Sequence, residues 1–564
     1  MIKKCLLATF GLSLIVICAF IITGCSKDSG TPKVEAPTGI YTGNSVDGIE
    51  EYLGIRYAAP AQRWKRAEDV TTTAKDVIDA TKWGPCCTQP YNEVEVASQG
   101  ELSEDCLNLN IWTRDSKTTD KPVFVFIHGG GFMNGGSNDP MYEGDSMVKG
   151  LGDGEDMVYV SINYRTNLFG SIDLTGLEGY TDEYYDAVNL WILDQIQALK
   201  WINENISSWG GDPAKVTVCG QSCGGMAITY MLSMPEATRY FQKAIIESGA
   251  PFIAQQTEAE KLKVADMIYD ELDVSTLDEF LDLSDEEIKE NGLSDIFDNL
   301  AGISNIYADG KIISKTWWDD IRDGSAEGIK IMIGCTDGEN DWVAYDYENG
   351  GVLKDPEGVE WYITNESKNR GDKEARYFIN PISADGTPNF DLDAYLDTKT
   401  DKVEAMTDLY NDMCYAQGTE YEAEALSAYT EVYKFYWTYA QKPENVIEYC
   451  ENNELEAEVS PYGRAQHSYA CVFALGNSKD GYNELTGDPA KDPENLQAMT
   501  MSAWYNFAKS GNPNNDLIPE WRTYDVKERN TMVMGAEWSL VKDPRKLQRE
   551  AFTCRPQGEK QNQE

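Results

Sequence analysis

Histidine is almost missing from this chain. Only His128 and His467 occur in 564 residues, so any chemistry that needs an imidazole has two candidates. Cationic side chains are also scarce, with 48 Lys and Arg against 95 Asp and Glu and a formal charge of −47. That imbalance removes nucleic acid from the expected partners and works against attraction to anionic lipid headgroups. No Cys/His cluster has the spacing of a zinc site, so neither a metal nor another cofactor is expected. Long low-complexity tracts are absent, and a 41% hydrophobic composition with 32 Tyr and 14 Trp is ample for one large packed core. Most of the acid reads as solvated surface. Its densest stretch, Glu258 to Asp298, has the spacing of two amphipathic helices (Ala265, Ile268, Leu272, then Leu277, Phe280, Leu281, Ile288) with acidic outer faces.

A comfortable membrane-spanning run is missing too. Lys3 and Lys4 precede an uncharged apolar run, Leu6 to Ile22, of 17 residues, which fits an export signal and falls short of the ~20 residues of a spanning helix. The run ends in Ile22-Thr23-Gly24-Cys25, which resembles the lipobox of bacterial lipoproteins. That resemblance implies a signal over residues 1–24, lipid on Cys25, a polar tether over 25–38, and a protein held to a membrane of the bacterial cell envelope by its N-terminal lipid anchor. An uncleaved anchor helix with an incidental cysteine would leave the domain in the same place.

Of the 13 cysteines, Cys5 and Cys18 go with the signal. Cys87 and Cys106 bracket a polar loop, Thr88 to Asp105, and a disulfide closing a loop of that size would be worth ~3 kcal/mol in the chain-entropy model. Cys86 competes with Cys87 for the same partner. Cys219, Cys223, Cys335 and Cys471 sit in apolar contexts and read as buried thiols.

What the chain does have, from Pro122 to Gly249, is an alternation of strand-like and helix-like runs of the kind a parallel sheet with crossover helices requires. Strands are expected at Pro122 to Ile127, Met157 to Asn163, Lys215 to Cys219 and Lys243 to Ser248, with later ones at Ile329 to Gly334 and Val432 to Tyr439. Tyr185 to Asn205 has helical spacing, interrupted by polar Gln195, and stops at Gly210-Gly211-Asp212-Pro213. The stretches Thr257 to Ser325 and Tyr345 to Ala428 read as insertions over the C-terminal edge of the sheet, where pockets form in open α/β folds. Gly220-Gln221-Ser222-Cys223-Gly224 follows the third strand directly, and a G-x-S-x-G there reads as a nucleophile elbow that lifts a serine hydroxyl out of the sheet. A serine hydrolase of this kind needs a histidine downstream of the serine, and only His467 qualifies.

Several further motifs occur in one order: Gly54-Ile55-Arg56-Tyr57-Ala58, Ser103-Glu104-Asp105-Cys106-Leu107-Asn108-Leu109-Asn110, His128-Gly129-Gly130-Gly131-Phe132, Asn163-Tyr164-Arg165, Asp194-Gln195, the elbow, and Trp504-Tyr505-Asn506-Phe507-Ala508. With them the chain, from about Gly39 to about Val533, resembles the type-B carboxylesterase and cholinesterase family of α/β hydrolases. The resemblance implies an α/β-hydrolase fold, a largely parallel central sheet with helices on both faces and helical insertions over the active site, spanning residues 39–556 before a polar tail at 557–564. It implies a catalytic triad of Ser222 as nucleophile, Glu339 as acid and His467 as general base and acid. Glu339 comes from Ile333-Gly334-Cys335-Thr336-Asp337-Gly338-Glu339, with Asp337 and Asp341 as the alternatives. The backbone N–H groups of Gly130, Gly131 and Cys223 are the implied oxyanion hole, and His128 belongs to that loop as a structural residue.

Several departures accompany the resemblance, among them Asn340, just past Glu339, where the family usually has Gly. Gln221 stands where the family usually has Glu, Cys223 where it usually has Ala, and Ala470 where it commonly has an acid, which leaves the local support of the histidine loop unassigned. The loop after Cys87 has no Trp, and together with Gln221 this argues against a quaternary-ammonium substrate. The expected function is a serine carboxylesterase acting on an uncharged small-molecule ester through an acyl-enzyme. The alternatives are amide or lactone hydrolysis by the same groups, or a non-catalytic adhesion or binding protein of the same fold.

Overall fold

The computed structural model describes residues 31–89, 101–150, 152, 155–249, 258–289, 306–339, 341, 402–453, 460, 462–477 and 486–551. Cys25, the rest of the proposed signal and the C-terminal tail lie outside the described residues, as does most of the second expected insertion.

Fourteen strands are described: β1 (Lys33–Ala36), β2 (Gly39–Thr42), β3 (Asn44–Val46), β4 (Ile49–Arg56), β5 (Val77–Asp79), β6 (Asn108–Thr113), β7 (Lys121–Ile127), β8 (Val158–Ile162), β9 (Gly211–Gln221), β10 (Lys243–Glu247), β11 (Lys330–Thr336), β12 (Val432–Trp437), β13 (Asn530–Met534) and β14 (Trp538–Lys542). Eleven form one sheet in the order β14-β13-β12-β11-β10-β9-β7-β8-β6-β4-β3, and β1, β2 and β5 form a small second sheet. From β8 across to β13 every neighbouring pair is parallel. The two margins are antiparallel, so the fold is the expected largely parallel sheet with helices on its faces.

The sequence explains why the middle of the sheet is parallel. In β7, β8 and β10 every residue is buried, which is the continuous apolar run of a strand covered on both faces. Alternate side chains then feed two separate cores. Val123, Val125 and Ile127, with Val216, Val218, Ile246 and Ile333, pack on one face with the helices Leu190–Asn205 and Cys223–Leu232. Phe124, Phe126, Ile245 and Met332 pack on the other with the helices Tyr469–Leu475 and Leu496–Ser510. Each such aromatic or branched side chain contributes about 1.5–3 kcal/mol by leaving water.

Strand structure is already present before residue 39, within the stretch expected as a polar tether. β1 alternates exposed and buried residues, burying Val34 and Ala36, and pairs antiparallel with β2, so these few residues have a core to enter. The helix expected from Tyr185 begins as a 3₁₀ stretch, Asp182–Asn189, and becomes α-helical at Leu190. The disulfide expected between Cys87 and Cys106 is not found either. Cys86, Cys87 and Cys106 are free thiols, all buried. Cys87 and Cys106 lie close enough to perturb each other's thiols, while Cys86 donates its thiol to the side-chain oxygen of Asn138.

Candidate active site

Ser222 lies between β9 and the helix Cys223–Leu232 with φ 57° and ψ −128°, a conformation that costs a non-glycine residue on the order of 1–3 kcal/mol. Its surroundings enforce it. The Ser222 N–H donates to Glu247 O at 2.9 Å, and the Met226 N–H donates to Ser222 O at 2.9 Å. The flanking glycines are steric necessities: a Cβ on Gly220 would sit 2.4 Å from the Gly224 carbonyl carbon, and one on Gly224 2.2 Å from Ile127 O.

β11 delivers Glu339, only 2% exposed. One carboxylate oxygen accepts from the Thr336 N–H at 2.7 Å and from the Ser248 hydroxyl. The other meets Nδ1 of His467. Of the two alternative acids, neither takes this position. Asp337 accepts the Ala465 N–H at 2.9 Å, and burial pushes its carboxyl up to about 7. Asp341 is fully buried and accepts from Arg464 at 2.6 and 2.9 Å and from Asn411 at 3.2 Å. Both bind the backbone or side chains of the histidine loop, and Gly338 N–H donates to Ala465 O at 2.9 Å. The support for that loop left unassigned by Ala470 therefore comes from the acid loop itself.

His467 stands with its ring 5.0 Å from that of Tyr415 and its side chain 28% exposed. Its Nε2 is 2.9 Å from the amide nitrogen of Gln221. Among the described residues, the hydrogen bond on Nε2 comes from Gln221 and not from Ser222.

The glycine loop closes the site from the other side. A Cβ on Gly129 would lie 3.1 Å from that of Ser222, so the loop passes directly against the serine. Gly130 and Gly131 take φ 100° and 62°, the region that glycine enters without steric cost. The loop is pinned from below: the Phe132 N–H donates to the Cys223 thiol at 3.2 Å, and Tyr164 OH donates to His128 O at 3.0 Å. Burial pushes the Cys223 thiol up to about 11, which keeps it protonated beside Ser222. His128 is stacked on Tyr164 at 4.3 Å, and burial pushes it down to about 4, so its ring is neutral. Among the described residues no group of three or more His, Cys, Asp or Glu is placed to hold a metal ion.

Sequence reasoning named Ser222, Glu339 and His467 and missed Ser248, Tyr415 and the Gln221 contact. Ser248 had a signal, a hydroxyl immediately past an apolar strand at the edge where Ser222 emerges. Tyr415 had none, since it comes from an inserted segment.

The chain is similar to known proteins. Residues 30–553 match the carboxylesterase family. The para-nitrobenzyl esterase of Bacillus subtilis is 31% identical over 521 residues, covering 90% of this chain and 96% of that protein. The acetylcholinesterase of Bungarus fasciatus is 28% identical, covering 91% of this chain and 85% of its own. A solved carboxylesterase from Geobacillus stearothermophilus superposes with a TM-score of 0.76 at 26% identity, over 92% of this chain and 99% of that one. With the family matched from the first strand to the last helix and a relative of 31% identity covered almost end to end, the chain belongs to the carboxylesterase family and is a carboxylic ester hydrolase.

Proposed function

We propose that this hydrolase works through an acyl-enzyme on Ser222, with His467 as general base and acid and Glu339 as the orienting acid, on uncharged carboxylic esters. The observation that carries the reading is the contact of Glu339 with Nδ1 of His467 beside a serine held in elbow geometry. Nδ1–H directed at the carboxylate leaves the Nε2 lone pair free of a proton, the tautomer a base requires. Gln221 gives up Nε2, Ser222 Oγ transfers its proton there and attacks the ester carbonyl, and the N–H groups of Gly130, Gly131 and Cys223 receive the oxyanion. His467 then returns the proton to the leaving alcohol. Water repeats the sequence on the acyl-enzyme. Each lost oxyanion donor would cost ~10²–10³ in rate.

A panel of nitrophenyl esters from acetate to palmitate, with one quaternary-ammonium ester, tests the substrate class. Ser222→Ala and His467→Ala should each lower turnover by several orders of magnitude, the double variant little further, because groups acting as a unit are non-additive. Glu339→Gln should also be severe. Near-normal hydrolysis without Ser222 or His467 would overturn the triad. Lipid on Cys25 is proposed on the lipobox resemblance: Cys25→Ala should leave the membrane fraction, and an unmodified Cys25 in the mass spectrum of the wild type would end that reading.

A further inference from the structure

The oxyanion donors proposed above come from two separate pieces of chain. Gly130 and Gly131 lie in the loop that leaves β7, while the Cys223 N–H opens the helix that leaves β9. The two strands are neighbours, with Ile127 opposite Gly220. Three donors serve one oxygen only if these pieces are held at a fixed separation. Within the loop, the N–H groups of Met133 and Asn134 both donate to Gly130 O, at 2.9 and 3.1 Å. The Phe132 N–H is left out of that turn, at a residue with φ 60°, where a bulky side chain is strained. It donates instead to the Cys223 sulfur at 3.2 Å.

The direction of each bond here is fixed by chemistry. A backbone N–H can only donate, so the sulfur accepts from Phe132. A carbonyl can only accept, so the Tyr164 hydroxyl spends its one proton on His128 O at 3.0 Å. At its 3.5 Å contact with the Cys223 sulfur the phenol oxygen is therefore the acceptor, and the thiol, still protonated, is the donor. The result is a buried chain from the Phe132 N–H through the Cys223 thiol and the Tyr164 hydroxyl to the His128 carbonyl. It joins the two ends of the glycine loop through the residue whose own N–H is the third oxyanion donor. An alanine at 223 would supply that N–H without the link.

We propose that the Cys223 side chain, together with Tyr164, is a positioning group that fixes the glycine loop against the elbow and so holds the oxyanion donors in register. The inference rests on the proposed triad and oxyanion hole. The thiol touches no reacting atom and acts only through the loop. Its contribution therefore belongs to the transition state, where the oxyanion exists, and not to binding of the neutral ester.

The test uses the full-length enzyme with Cys223→Ala, Cys223→Ser, Tyr164→Phe and the Cys223→Ala/Tyr164→Phe double variant. Tyr164→Phe keeps the ring that stacks on His128. Cys223→Ala and Tyr164→Phe should each lower kcat by about tenfold with KM little changed. The double variant should be no slower than the slower single one, because links of one chain are not additive. Cys223→Ser, which keeps an acceptor and a donor, should recover part of the alanine loss. A trifluoromethyl ketone, whose adduct with the serine carries an oxyanion, should lose affinity by the same factor as kcat, while the matching ether, which forms no adduct, binds as before. Independently of catalysis, deuterium exchange of the amides from Gly129 to Phe132 should be faster in Cys223→Ala than in wild type. Unchanged kcat in Cys223→Ala, losses that multiply in the double variant, equal loss of the ketone and the ether, or unchanged loop exchange would each overturn the inference. Retained hydrolysis in Ser222→Ala would overturn the triad instead, and leaves loop exchange to judge the Cys223 link separately.

Discussion

Glu422 illustrates how a single buried carboxyl can tie stability to pH away from the chemistry. It is fully buried, accepts the Thr229 hydroxyl at 2.8 Å, and among the described residues its second oxygen has no hydrogen-bond partner. Burial pushes it up to about 8. The unfolded chain releases this proton near the ordinary carboxylate range while the folded chain keeps it. The associated stability is therefore fully present below that range and lost as pH rises toward 8. Glu422→Gln should leave the thermal midpoint unchanged in acid and raise stability at pH 8 by on the order of 3 kcal/mol. Thermal melts across pH check this, and parallel curves for the two proteins would show that Glu422 is ionised in the native state.

At the scale of elements, two loops after β11 and β12 form one unit. Asp341 and Asp408 pair with Arg464, Asp337 takes the Ala465 N–H, and His467 follows within the same turn of chain. Removing one partner of a buried pair costs about 3–5 kcal/mol, toward the low end here because Arg464 keeps Asp408. Asp341→Asn should thus lower the thermal midpoint and reduce kcat by tenfold or more while KM changes little, since Asp341 is fully buried under the histidine loop. An unchanged kcat would show that the histidine loop is held without the pair.

The strands from β7 to β12 were legible in the sequence because continuous apolar runs carry their own signal, and His467 was singled out because the scarcity of histidine left one choice downstream of Ser222, whereas Glu339 came only from the family resemblance. The clamp at Asp341 was legible only as an unused carboxylate. Its meaning depends on where a loop 123 residues away comes to lie, and nothing local encodes that. The Gln221 contact, across 246 residues, depends on a rotamer as well. Cys87 and Cys106 show the reverse case: the pattern pointed to a bond, and the fold brings the thiols together without making it.

The charge of the whole molecule, −47, acts on substrates before they arrive. A field of that sign repels carboxylate-bearing esters and ignores neutral ones, and salt screens it within about 10 Å at 0.1 M. For an ester carrying a distal carboxylate, kcat/KM should rise several-fold from low to high ionic strength, whereas its neutral analogue should stay flat. Equal salt responses for the two would mean that local pairing already neutralises the field at the pocket mouth.

The order of strands carries one more consequence. Ser222 follows β9, Glu339 follows β11 and His467 follows β12, and the helices that brace the histidine loop come later still. A growing or truncated chain therefore contains Ser222 long before it contains His467. Under the roles proposed for Ser222 and His467, that order leaves the hydrolase incomplete until the part of the chain from His467 onward closes over the sheet.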